Sequence, residues 1–273
     1  MNKILVSTFG TEAAAYEGLS ALKDLHRDGD ITLYASSVIA KDPQGKVVVR
    51  EAADSGPVGT LVGLVTGGLI GLLGGPAGVA VGAYVGGFSG LMYDMFNIGM
   101  SGDFIDDVAA SLTPGKVAVV ADIDESWVAP VDTRLGALGG TTFRRYPGEA
   151  IDEQLARETD AASKELEQLD AELRQSTGEA RANVEKKIAE QRAKLDALVA
   201  RIEKTLADRK AEFEAKLSTL SAQHRQARER QREQIDARIN ELKASYEVRK
   251  EKLEKARQHA KESAEMTREA LVS

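Results

Sequence analysis

Apolar and polar positions follow three different rhythms along this chain. In the first rhythm, short β-branched runs alternate with helical spacing. Residues 3–9 form an apolar run that predicts a strand. In residues 11–25, Ala15, Leu19, Leu22 and Leu25 fall on one helical face, with Thr11 placed to cap the start and Asp28-Gly29 to end it. Residues 31–40 and 47–51 read as strands joined by a turn that holds Pro43 and Gly45. Residues 103–112 read as a helix capped by Ser101 and stopped by Thr113-Pro114-Gly115. A strand over 117–122, a helix over 126–138 despite Pro130, and a strand over 141–145 complete the series. The expected order is βαββ, an interruption, αβ, then αβ. Its first six elements match an α+β, ferredoxin-like split βαβ sandwich, interrupted after the third strand.

The interruption is the second rhythm. From Ser55 to Tyr93, 39 residues carry no charge. Gly59, Gly63, Gly67, Gly71 and Gly75 form one series at spacing four, and Gly74, Gly78, Gly82, Gly86 and Gly90 form another. On a helix each series makes a face without side chains, where a second backbone can approach closely. In water such a helix is poor, because each interior glycine costs about 0.8–1 kcal/mol relative to alanine. Lipid or protein has to cover it, and a glycine-zipper helical hairpin over 57–93 is expected. Its arms, 58–73 and 77–93, would be roughly 24 and 25 Å long, short of the ~20 residues needed to span a bilayer. Glu51, Asp54 and Asp94 flank it and provide no positive-inside signal.

The third rhythm runs through residues 149–273, where 53 of 125 residues are charged and a single glycine is the one helix breaker. A long α-helical coiled-coil tail is expected. Its apolar stripe includes Leu195, Val199, Ile202, Leu206, Phe213, Leu217, Leu220, Ile235, Ile239, Leu242, Tyr246 and Leu253. The stripe advances about 3.63 residues per step, nearer an eleven-residue repeat than a heptad, and so favours a nearly straight bundle. Residues 221–234 contain no large apolar side chain and read as a weak section or a partner site. Ser176-Thr-Gly-Glu179 fits a capping box, a candidate break at 176–178. An isolated charge-paired helix is the alternative to self-association.

Composition narrows the chemistry. There is no Cys, which removes disulfides, thiolate nucleophiles and Cys-based metal sites. His26, His224 and His259 are scattered; His26 reads as a surface residue, and no Ser-His-Asp set emerges. No phosphate-binding loop or dinucleotide motif is present. Asp103, Asp106 and Asp107, and separately Asp122, Asp124 and Glu125, are acid clusters; acids at such places more often complement a helix start than hold a cation. The net charge of −7 and the few aromatics argue against nucleic acid. No catalytic, cofactor-binding or metal-binding residue is assigned. The first residues lack the apolar core of an export signal, so the expected compartment is the cytoplasm or its membrane face.

One stretch carries a family resemblance. The paired glycine series, then Asp94-x-x-x-Ile98-Gly99, Gly102-Asp103-Phe104-Ile105 and Leu112-Thr-Pro-Gly115-Lys-Val-Ala118, resemble a bacterial family known as domain of unknown function 1269. The resemblance covers about residues 1–150 and leaves the tail outside it. It implies a membrane-associated, non-enzymatic protein and supplies no catalytic residues. The resulting expectation is a scaffold at the bacterial cytoplasmic membrane. The hairpin would contact the bilayer, the protein would form homo-oligomers, and the tail would offer a site for a protein partner. The alternative is a soluble assembly whose glycine hairpins form a protein–protein core. A ligand- or metal-binding sensor is the remaining, weaker reading.

Overall fold

A computed structural model describes residues 2–53, 56, 59–73, 102–146 and 150–272. The elements in chain order are β1 (Asn2–Phe9), α1 (Glu12–Asp28), β2 (Ile31–Lys41), β3 (Val47–Glu51), α2 (Gly59–Leu73), α3 (Gly102–Ser111), β4 (Val117–Glu125), α4 (Ala129–Ala137), β5 (Thr141–Arg145), α5 (Ala150–Leu173), α6 (Gly178–Gln226) and α7 (Glu229–Val272). The chain is α+β, with a five-stranded antiparallel sheet and long C-terminal helices. It divides into two compact units, Met1–Gly148 with Ala211–Lys243, and Glu149–Lys210 with Ala244–Ser273.

In the first unit the sheet order is β3-β2-β4-β1-β5. The six-element reading placed the third strand inside the sandwich. Instead β3 is a hairpin strand on the outer edge of β2, and β4 lies between β1 and β2. The reason lies in burial. All nine residues of β4 are buried, whereas β3 ends in Arg50 and Glu51, charges that suit an edge.

Helices α1 and α4 cover one face of the sheet. Strand alternation directs Leu5, Phe9, Val117, Val119, Ala121 and Ile123 into a core with Leu19, Leu22 and Leu25 of α1 and Val131 and Leu135 of α4. The caps of α1 are as expected; Ser101, the expected cap of the helix over 103–112, lies outside the described residues. The Thr11 hydroxyl accepts from the Ala14 N–H at 3.1 Å, and Gly29 ends α1 in the left-handed region at φ 83°. Pro130 sits in the first turn of α4, where a missing N–H costs nothing. Gly18 has a packing role. A Cβ there would lie 2.5 Å from Phe9 Cζ, so the ring needs a glycine beneath it.

Helix α2 lies against the opposite face, over β2, β3 and β4. The Thr66 and Ser37 hydroxyls, both buried, are 2.6 Å apart and join α2 to β2. Val62, Val65, Leu69 and Ile70 are buried around it. Helix α3 meets the same face where Ser111 and Thr8 hydroxyls lie 2.6 Å apart. Among the described residues no helix is long and apolar enough to cross a membrane. The 15 residues of α2 span roughly 23 Å.

The tail is three helices, so the extended single-helix form of the coiled-coil reading does not hold. The first break falls between Leu173 and Gly178, close to the expected 176–178. Ser176 does not cap the next helix there; its hydroxyl donates to the Glu172 carbonyl at 2.7 Å and closes the previous one. The second break, between Gln226 and Glu229, lies inside the polar section 221–234. With no large apolar side chain to bury, the chain reverses there. The Arg228 N–H donates to Gln231 Oε1 at 3.0 Å, a reach-back cap on α7.

The second unit is built from α5, α6 up to Lys210 and α7 from Ala244. Leu155, Leu166, Ile188, Leu195, Ile202 and Leu253 form its core. Asp152 of α5 is fully buried, 3.3 Å from Arg209 of α6 and 3.9 Å from Arg249 of α7. One charge thus ties three helices together.

Candidate functional site

The second face of the sheet carries a buried polar cluster within the first unit. Alternation along β4 puts Asp122 and Asp124 on the face opposite the Ile123 core. A register shift between Leu33 and Ala35 in β2 brings Tyr34 to the cluster, and Thr32 pairs in register with Asp124. The α6–α7 turn region, residues 211–243, supplies the cations.

Lys216 Nζ lies 3.0 Å from Asp122 Oδ2 and 2.9 Å from Glu212 Oε1, and 5.0 Å from the centre of the Tyr34 ring. Lys216 is 2% exposed and Asp122 is fully buried. Asp122 Oδ1 accepts no hydrogen bond. Gln223 bridges three groups: its amide donates to the carbonyls of His26 at 2.6 Å and Ile31 at 2.7 Å, and its Oε1 accepts from Thr32 Oγ1 at 2.7 Å. Arg238 donates to the Asp30 carbonyl at 2.6 Å, the Gly29 carbonyl at 3.2 Å and Thr32 Oγ1 at 3.3 Å. Gln231 Nε2 donates to the Asp28 carbonyl. Of these acceptors, the His26 and Asp28 carbonyls belong to the last turn of α1, where a helix leaves its carbonyls open.

The electrostatics follow from burial. Burial pushes the Asp122 carboxyl up to about 6; Lys216 opposes the rise, and Glu212 and Asp124 add to it. Burial, then the Asp124 and Asp122 charges, raise Tyr34. Burial alone would lower Lys216, but Asp122 and Glu212 outweigh it and the amine is held above its ordinary value. Burial lowers Arg238, and Asp124 is the main charge opposing that. Burial and then Arg238 lower His26.

A second network lies on the α1 face. Glu125 is fully buried, with Lys3 at 3.1 Å and Arg144 at 2.6 Å; Arg144 also reaches Asp132 at 2.7 Å. The acids 122, 124 and 125 therefore do not converge, because alternation sends Glu125 to the other face. His26 is half-buried, not a surface residue; its Nδ1 accepts from the Leu33 N–H at 3.2 Å. His224 lies 3.3 Å from Asp236, and His259 lies 3.6 Å from both Asp160 and Glu167.

Of the glycine series, Gly59, Gly67 and Gly71 are buried on α2, and Gly63 is half-buried with open space beside it. Gly74, Gly75, Gly78, Gly82, Gly86 and Gly90 lie outside the described residues. Of the tail stripe, Leu195, Val199, Ile202, Leu206, Tyr246 and Leu253 belong to the second unit. Phe213, Leu217, Leu220, Ile235, Ile239 and Leu242 belong to the first. Sequence reasoning missed Lys216, Gln223, Gln231 and Arg238. One signal pointed to them: two acids on an otherwise apolar strand require cations from elsewhere in the chain.

The molecule is thus an α+β sandwich with a helical segment seated on its polar half-face. Residues 60–166 match the model of the family described as Protein of unknown function (DUF1269). The match runs from α2 into α5, later at both ends than the 1–150 of the resemblance. Searches of curated proteins and of solved structures gave no match.

Proposed function

We propose that this protein is a non-enzymatic scaffold that self-associates through its glycine-rich segment, packed against protein. The observation that carries this reading is the Thr66–Ser37 contact at 2.6 Å, which seats a charge-free helix on the chain's own sheet. A helix that is apolar all round needs cover on every side. The sheet covers one side of α2, and Gly63, half-buried with open space beside it, offers a point of close approach for a second backbone. We also read β1-α1-β2-β4-α4-β5 as a ferredoxin-like sandwich, with β3 as an added edge and α2 and α3 inserted between β2 and β4. The tail in this reading braces the scaffold and leaves its exposed charged surface for a protein partner.

A second reading, a scaffold at the bacterial cytoplasmic membrane, draws on the 39 uncharged residues from Ser55 to Tyr93. Cell fractionation separates the two. Full-length protein is expected in the soluble fraction as a particle well above the 29.3 kDa chain mass. Full-length protein in a pellet that resists both high salt and alkaline carbonate would replace the first reading with the second.

A further inference from the structure

The segment 211–243 meets the sheet through Lys216, Gln223 and Arg238. Asp122 and Asp124 face this contact from β4, Tyr34 from β2, Glu212 and Lys216 from α6, and Arg238 and Glu241 from α7. From β1 the register neighbours of Asp122 and Asp124 are the uncharged Ile4 and Asn2. Four carboxylates thus lie near Lys216 and Arg238, with Asp122 and Asp124 buried and Glu241 exposed. Lys216 is divided between two of them, and Asp122, fully buried, has one oxygen with no hydrogen-bond donor. A buried carboxylate in that position lowers its free energy by binding a proton, whereas in water it would ionise normally.

We propose that closure of residues 211–243 over β2 and β4 takes up one proton, held on Asp122, so that this strap closes more tightly in mild acid and loosens above neutrality. The sign follows from linkage. The closed-state pKa of about 6 lies above the ordinary carboxylate value of 3.8, so the proton binds the closed form more tightly. Between about pH 8 and about pH 5 the closing equilibrium gains about tenfold from this group. His26 works against it. Its lowered pKa means that protonation below its ordinary value of 6.5 favours the open form. The test must therefore isolate Asp122.

Hydrogen exchange of the full chain, corrected for intrinsic rates, is compared with that of Asp122→Asn at about pH 8 and about pH 5. The His26 contribution is common to both proteins and cancels in the ratio. The protection of residues 211–243 in the parent relative to the variant is expected to rise about tenfold on acidification. A ratio that does not change with pH overturns the proposal. If the variant fails to fold, the side-chain carboxyl carbon resonance of Asp122 in the parent decides. A midpoint near the closed-state value of about 6 supports proton uptake, and a midpoint near 3.8 overturns it.

Discussion

Lys216 of α6 places its ammonium 3.0 Å from the Asp122 carboxylate of β4, and both side chains are buried. Lys216 also meets Glu212, one helical turn before it, at 2.9 Å. The pair ties the tail to the sheet face that the strand's own alternation makes polar.

Removing the cation alone strands the acid. Lys216→Met is expected to cost about 3–5 kcal/mol, the usual penalty for breaking a buried pair. Combining it with Asp122→Leu is expected to recover most of that loss, since an apolar replacement of both partners is often neutral. Urea unfolding of the two single variants and the double variant checks this. Additive losses would mean that the two side chains do not depend on each other.

Two helical glycines should respond in opposite directions. Gly18→Ala places a Cβ 2.5 Å from the Phe9 ring. The clash, about 1–3 kcal/mol, exceeds the helix-propensity gain of about 0.8–1 kcal/mol. Gly136 in α4 has open space and no positive φ. Gly136→Ala is expected to stabilise by about 0.4–1 kcal/mol. Melting temperatures of the two variants give the comparison directly.

The seat of α2 depends on one hydroxyl pair. Thr66→Val leaves the buried Ser37 hydroxyl without its partner and should cost about 1–3 kcal/mol. Adding Ser37→Ala is expected to restore most of it. The readout is amide exchange across Gly59–Leu73 in the absence of lipid. An α2 that exchanges freely in the parent protein would contradict its place on the sheet.

The pH response has a second component. His26 in the fold has a lowered pKa, so its cost appears as pH falls through 6.5 and below. His26→Asn keeps an acceptor available to the Leu33 N–H and removes the titration. Relative to the parent, this variant is expected to gain stability at about pH 5 compared with about pH 8. Denaturant midpoints at the two pH values test it, and equal differences at both would refute it.

The parts legible in the sequence were those set by local chemistry. Thr11, Gly29 and Gly45 each act on the few residues beside them, and the structure places them as read; Pro130, read as lying inside a helix over 126–138, instead sits in the first turn of a helix that starts at Ala129. The core face Ala15, Leu19, Leu22 and Leu25 follows from spacing alone. Strand order was not legible, because β3 and β4 are both Val-rich and only tertiary burial decides which takes the centre. The tail stripe announced an apolar seam without naming its partner. Periodicity is the same whether Leu195 meets another chain or α5 of its own. The Asp122–Lys216 cluster was hidden for the same reason: nothing local connects a strand acid to a lysine far along the tail.

The central structural claim is that the tail returns to its own sheet, and an introduced cysteine pair tests it most directly. The chain has no cysteine, so Asp28→Cys with Gln231→Cys creates a unique pair where Gln231 meets the Asp28 carbonyl. A short bis-maleimide applied to dilute full-length protein is expected to join the two sites within one chain, leaving the denatured species at monomer mass with the link located by peptide mapping. No link between residues 28 and 231, or links found only between chains, would contradict the folded-back tail.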